Sequence, residues 1–395
     1  MRLRVIGLAT CVVAMTLVPL SSQALPACGS WAIVSSPNVD PTLDTNQLYD
    51  VTAISSSNAW AVGKHYYAES PGAESTLAEH WNGTAWEVVP TPNATDVVNG
   101  TAKNQGNRLN AVTAISGSNI WAVGAHATIG ENSEATFVPL KTLVEHWNGA
   151  AWQIITSPNV GTTRNELNGL VAFSASNIWA VGSYSNGSLD GHHDRPLAAH
   201  WDGTAWKTVG VPSYGTSSRL YGVAKIPGTS KLWAVGEYEK VNAATGAQTS
   251  GALIEKWNGS SWSVAATTSN SEKLNSVTAI SSSSAFAVGD SVMRWNGTSW
   301  NVMSNALPSN NGYAAELESV TRAPNGNLWA AGWRIDPQTL QYSTLIERWD
   351  RSMWSVVPSP NQGWSRLYGI AKAPNSTRVW AVGVASGETL IETYC

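Results

Sequence analysis

Trp60-Ala61-Val62-Gly63 is the phrase that decides how this chain folds, because six near copies follow it: Trp121 to Gly124, Trp179 to Gly182, Trp233 to Gly236, Phe286 to Gly289, Trp329-Ala330-Ala331-Gly332 and Trp380 to Gly383. Successive copies start 43 to 61 residues apart. Spacing of this order marks one supersecondary unit used repeatedly, each copy burying its apolar face on the next. Six of the copies lead into a second phrase, Trp-Asn/Asp-x-x-x-Trp, first seen at Trp81-Asn82-Gly83-Thr84-Ala85-Trp86.

Working outward, residues 48–93 define the unit. Leu48 to Ile54, Ala59 to Gly63, Leu77 to Trp81 and Ala85 to Val89 are four β-rich runs separated by turn residues. Asn82-Gly83 predicts a tight type I′ hairpin, since both residues tolerate positive φ. It recurs at Asn148-Gly149, Asp202-Gly203, Asn258-Gly259 and Asn296-Gly297, and in altered form at Asp350-Arg351. Strand alternation sends Trp60 and Val62 to one side and Ala61 and Gly63 to the other. Each unit then has a thick face and a thin face that stack around a ring. Four strands in each of seven units predict an all-β, seven-bladed β-propeller of antiparallel blades, one domain over residues 25–395.

The chain's two ends complete one another. The seventh unit stops at Leu390-Ile391-Glu392-Thr393-Tyr394-Cys395, after its third strand, while Cys28-Gly29-Ser30-Trp31-Ala32-Ile33-Val34 reads like the fourth strand of other units. The last blade is therefore expected to be closed by the N-terminal strand, with Cys28 and Cys395 joined as a disulfide clasp. The rival reading is lipidation at Cys28, because Leu25-Pro26-Ala27-Cys28 loosely resembles a lipoprotein cleavage box. Residues 1–24 read as a signal peptide: Arg2 and Arg4, then the mostly apolar Val5 to Leu20, then Ser22-Gln23-Ala24. Secretion follows as an expectation, with the bacterial cell surface as an alternative address. No other run approaches a transmembrane length.

Low charge, 34 Gly, and 21 Trp against 3 Phe describe a Trp-rich repeat scaffold in which one large aromatic is reused at fixed places. A net charge of −4 without a Lys/Arg cluster argues against nucleic acid as partner. The unit-internal connections between strands one and two, and three and four, are short and alike. Those between strands two and three, and from blade to blade, are long and dissimilar, and in a propeller they emerge on one face. Function is expected on that variable face.

Two positions beyond each repeat glycine stand His65, His126, Tyr184, Tyr238, Ser291, Arg334 and Ala385. With Tyr66, His192, His193, Arg195 and Trp333 beside them, these rings suit carbohydrate stacking or a peptide; capping of strand ends is the plainer alternative. His192-His193-Asp194-Arg195 invites a metal reading only if His65 or His126 joins it, so neither a metal site nor a cofactor is predicted. His80, His146 and His200, and the recurrent Glu79, Glu145, Glu255, Glu347 and Glu392, occupy template positions and read as scaffold.

On Trp-Ala-Val-Gly and Trp-Asn-Gly-Thr-x-Trp together, the chain resembles exported bacterial propeller-repeat proteins, with kinship in style to tectonin and kelch repeats. Trp81 to Trp86 is also similar to the Asp-box hairpin of sialidase-type propellers, but lacks Ser-x-Asp, and no arginine triad accompanies it. The resemblance implies a secreted, non-enzymatic recognition propeller, a monomer that binds a glycan or extracellular protein. A polysaccharide lyase or glycoside hydrolase on the same face, or a structural envelope protein, are the alternatives, and no catalytic residue is assigned.

Overall fold

The computed structural model describes residues 29–39, 45–66, 74–98, 101–103, 106–128, 139–187, 193–242, 244–303, 314–323 and 326–395. Seven four-stranded antiparallel sheets form a ring, and their first strands, beginning with Asn46–Ser55 and ending with Ser365–Lys372, sit innermost against one another. The architecture is a seven-bladed β-propeller. A small extra hairpin, Asp96–Val98 with Thr101–Lys103, decorates the connection between blades one and two. No helix among the described residues is long and apolar enough to cross a membrane.

Thick faces stack on thin faces as the alternation requires. Trp60 and Val62 pack with Leu109, Ile120 and Ala122 of blade two, while Ala59 and Ala61 pack with Trp380 and Val382 of blade seven. Each repeat Trp enters an aromatic cage offered by the next blade, a Trp pair except at Trp329, which meets Trp31 and Tyr394. Trp60 lies 5.5 Å from Trp152, edge-on at 81°, and 4.9 Å from Trp147. Its other side is covered by its own blade's His80, stacked at 4.4 Å, whose Nε2 meets Asn58 Oδ1 at 3.1 Å. His146 and His200 repeat this stacking, and Lys256, Arg294 and Arg348 replace it with a cation over the ring. These six side chains are scaffold.

The ring closes where the two termini meet. Ala32–Val34 pairs with the final strand Glu388–Tyr394, with Ala32 opposite Thr393. Trp31 then supplies the cage for Trp329 at 5.5 Å and 80°, as Trp152 does for Trp60. Residues 1–24, read above as a signal peptide, and Cys28 lie outside the described residues. By sequence offset Cys395 follows Tyr394 as Asn82 follows Trp81, and Cys28 precedes Trp31 as Gly83 precedes Trp86.

The Asn-Gly hairpins form with a different turn from the expected one. Trp81 pairs with Trp86, so four residues make the loop, and only Gly83 has positive φ (100°). The Asn82 side chain explains this: its Oδ1 accepts the N–H groups of both Thr84 and Ala85, at 2.9 and 3.0 Å. In blade six Arg351 takes the glycine's place and is held at φ 83°.

The glycine of the repeat phrase has its own physical reason. A Cβ on Gly236 would lie 1.9 Å from the Arg219 carbonyl oxygen, and Gly63, Gly182 and Gly383 meet the inner strand equally closely. At Gly210 an added Cβ would meet nothing within 4 Å. Gly236→Ala is therefore expected to cost about 1–3 kcal/mol or more by forced displacement, and Gly210→Ala about 0.5 kcal/mol or less. Urea unfolding of the two variants checks this; equal midpoints would refute it.

Candidate functional site

The repeat glycines stand opposite irregularities in the inner strands. In every blade the ladder slips by one residue after a leucine: between Leu48 and Asp50, Leu109 and Ala111, Leu167 and Gly169, Leu220 and Gly222, Leu274 and Ser276, Leu317 and Ser319, and Leu367 and Gly369. A β-bulge leaves its extra residue outside the ladder and bends the strand around it. The seven residues so released are Tyr49, Asn110, Asn168, Tyr221, Asn275, Glu318 and Tyr368, and all seven line the central channel. They lie at the end of the inner strands nearest the variable connections. With Lys64 and Arg108 they bound a mouth cavity of 360 Å³, which falls within the size range of small-ligand sites.

The three asparagines are fixed by the blade that follows each of them. Asn110 Nδ2 donates to Leu167 O at 3.0 Å, Asn168 Nδ2 to Leu220 O at 3.0 Å, and Asn275 Nδ2 to Leu317 O at 3.2 Å. Tyr49 and Tyr368 meet edge to face at 5.5 Å, and the Tyr221 hydroxyl donates to Glu237 at 2.6 Å. Glu318 is the single carboxylate of the ring and accepts the Trp333 indole N–H at 2.9 Å. Burial, reinforced by neighbouring Glu316, pushes Glu318 up to about 7. Deeper in the channel, burial also raises Asp50 to about 7, against hydrogen bonds from the Val51 and Val112 N–H groups.

A belt of ion pairs surrounds the mouth. Lys64 pairs with Glu74, Arg108 with Glu74 at 3.9 Å and Glu166 at 2.6 Å, and Arg164 with Glu166 at 2.7 Å and Asp194 at 3.7 Å. Arg219 continues it to Asp194 and to Glu237 at 3.1 Å. Burial works to raise Glu166, but the Arg108 and Arg164 charges outweigh it and hold Glu166 at about 2. Across the ring Lys273 pairs with Glu316 at 2.8 Å. Arg366 is held differently: its guanidinium lies 3.5 Å above Tyr342 and 4.8 Å from Trp333, inside an aromatic corner completed by Trp364.

The candidates counted from the sequence fall into two groups. Those two positions beyond the glycine face into the blades. Tyr238 is 4% exposed, with its hydroxyl on Thr268 O at 2.7 Å, and His65 is 8% exposed, with Nδ1 3.1 Å from Tyr66 O. His126, Tyr184 and Arg334 are partly buried, Tyr184 against a blade core. Two residues past the glycine is the Ala61 side of the strand, turned to the preceding blade, which is why Tyr238 packs with Trp179 and Val181 and does not stand open to a ligand. Arg195 donates to Thr216 O at 2.6 Å and His193 is exposed, while His192 lies outside the described residues. Asp194 is engaged by Arg219, and among the described residues no three metal-ligating side chains gather.

Position one beyond the glycine lies on the opposite side, that of the repeat Trp, and at the mouth end of the strand its side chains reach the ring residues. There stand Lys64, whose ammonium lies 5.5 Å from the Tyr66 ring, Glu237 and Trp333. Trp333 is thus the member of the candidate set that the structure brings to the channel ring, with Tyr66 on its rim. The ring itself was missed in the sequence. Its signal was a changing residue directly after a fixed leucine in each first strand, and only the bulge explains why that residue turns inward.

No family model matches the chain, and no curated protein matches it. Among solved structures it is similar to YCF48 bound to D1 peptide, at 14% identity and TM-score 0.53 over 95% of this chain and 98% of that one. It is also similar to the WD40 β-propeller domain of Doa1, at 13% identity and TM-score 0.50 over 92% and 96%. A chain of a mitotic checkpoint complex matches at 13% identity and TM-score 0.53 over 97% and 99%. At such identities the likeness establishes the seven-bladed fold with WD40-like neighbours.

Proposed function

We propose that this chain is a non-enzymatic recognition propeller that binds a polypeptide segment at the channel mouth on its variable face. The observation that carries the reading is the ring of bulge residues: seven blades of one design present side chains of three chemistries, phenol, amide and carboxylate, above a cavity large enough for a side chain or a chain terminus. Repetition serves the scaffold and difference serves recognition. Two of the similar structures support the class, one bound to a peptide and one within a protein complex. The reading of residues 1–24 as a signal peptide adds secretion, and the split seventh blade adds a Cys28 to Cys395 clasp, which would replace a backbone link in the cut hairpin.

A peptide selected by display against the mature chain should protect the inner strands near Tyr49, Tyr221 and Tyr368 from hydrogen exchange. The double change Tyr221→Ala and Tyr368→Ala should lower its affinity at least about tenfold, as loss of aromatic anchors does. Protection confined to the opposite turns, around Asn58 or Asn177, would place the site on the other face. Glycan on the variable face is the second reading, favoured by the tyrosines and amides at the mouth. A glycan array that gives hits where peptide display gives none would replace the first reading with it.

A further inference from the structure

The chemistry of the mouth narrows the partner. The ring's polar groups are sorted by the way the blades hold them. All three asparagines donate from their NH₂ groups to the next blade's carbonyl, which leaves each an oxygen as acceptor; that of Asn168 already takes an N–H from Asn110 at 3.3 Å and keeps a second lone pair. Three tyrosines add π faces, which attract cations. Glu318 adds the only carboxylate of the ring. One of its oxygens accepts from Trp333, and the other has no hydrogen-bond partner among the described residues.

The cations at the mouth are already engaged. Lys64 is held by Glu74, Arg108 by Glu166, and Lys273 by Glu316. Arg366 lies against Tyr342 and makes no ion pair with Glu318 among the described residues. What the ring chiefly offers an incoming group is therefore acceptors, π faces and one carboxylate oxygen, with the Tyr368 hydroxyl and the second N–H of Asn168 as its remaining donors.

We propose that the mouth selects a cationic side chain, the ammonium or guanidinium of a lysine or arginine in the bound polypeptide, with Glu318 as its counter-ion. This rests on the reading of the mouth as a peptide site. Tyr49 and Tyr368 flank the cation and the asparagine oxygens accept its remaining N–H groups. Trp333 acts through Glu318 and is a positioning residue: its indole fixes the carboxylate.

The test uses the full mature chain and an array of ten-residue peptides of mixed composition, with titration calorimetry on the best binders. Hits should share a lysine or arginine. Replacing that residue by norleucine or citrulline should weaken binding to the unaltered protein about 10- to 100-fold, the worth of a hydrogen bond to a charged group. Glu318→Gln, which keeps the size and the acceptor for Trp333, should cause a similar loss. The two changes should not add, because each removes the same contact. Hits without a basic residue that are lost with Tyr49→Ala but unaffected by Glu318→Gln would overturn cation selection and leave the peptide site standing. No hits at the mouth would overturn both. The norleucine and citrulline arms need no variant protein, so a fold defect in Glu318→Gln does not blunt the test.

Discussion

From about pH 6.5 to about pH 8.5 the folded protein is expected to lose several kcal/mol of stability. The source is a row of scaffold glutamates that are buried without ion pairs. Glu79, Glu255 and Glu347 are pushed up to about 8 by burial, and Glu145 and Glu392 well above the carboxylate range. Each pairs across the strand with a thin-face alanine, as Glu145 does with Ala122, and so lies between blades. Both oxygens of Glu145 and of Glu392 have no hydrogen-bond partner among the described residues. Their charged form is disfavoured there, so the folded state holds protons that the unfolded chain releases. A raised folded pKa gives stability that is complete below the unfolded value and is lost as pH climbs through the folded one.

Two other sets define the window. Burial lowers His80, His146 and His200, which opposes the trend only below their ordinary value of about 6.5. Glu166, held at about 2, is lost only in strong acid. Urea midpoints between these pH values check the prediction. The double variant Glu145→Gln and Glu392→Gln should flatten the slope, because Gln keeps the shape without the ionisation. A wild-type midpoint that rises toward alkaline pH would contradict it.

Trp179→Ala is expected to cost about 3–5 kcal/mol, the range for truncating a buried Trp. Trp179 is 5% exposed, stacked on His200 at 4.5 Å and against Trp257 of the next blade at 4.7 Å. Removing it empties a cage built from two blades, and the neighbour contact is the unit of stability in a radial array. Trp333→Ala should cost far less, since that ring lies at the mouth beneath Arg366. Its effect should appear in ligand affinity through Glu318. Equal losses in chemical denaturation for the two variants would show that mouth and interface are energetically one.

Much of the architecture was legible because each element of it is local. A Trp phrase at a fixed spacing, four runs per unit and a split seventh unit suffice to give the ring and its closure, and Trp31 beside Trp329 confirms where the N-terminal strand goes. The turn type was less legible, since Asn82 acts through its side chain and not through positive φ. The site was the least legible part. Counting in twos along a strand finds the right face only while the ladder is regular, and a bulge shifts the count by one on one strand alone. Reading forward from the glycine led to Tyr238 and His65, which are buried. Reading back across the ladder to the residue after Leu220 or Leu48 would have led to Tyr221 and Tyr49 at the channel.

The bulge also separates two kinds of constraint along the chain. Leu220 is locked by the blade core and Gly236 by the carbonyl it must clear, but Tyr221 between them has no partner across the ladder. The same holds in all seven blades, so the lumen can be re-lettered one position at a time without moving a strand. Seven such positions, each open to aromatic, amide or charged side chains, make the channel a natural template for engineered binders. Variation confined to residues 49, 110, 168, 221, 275, 318 and 368 changes what enters the ring while the ring itself stays the same.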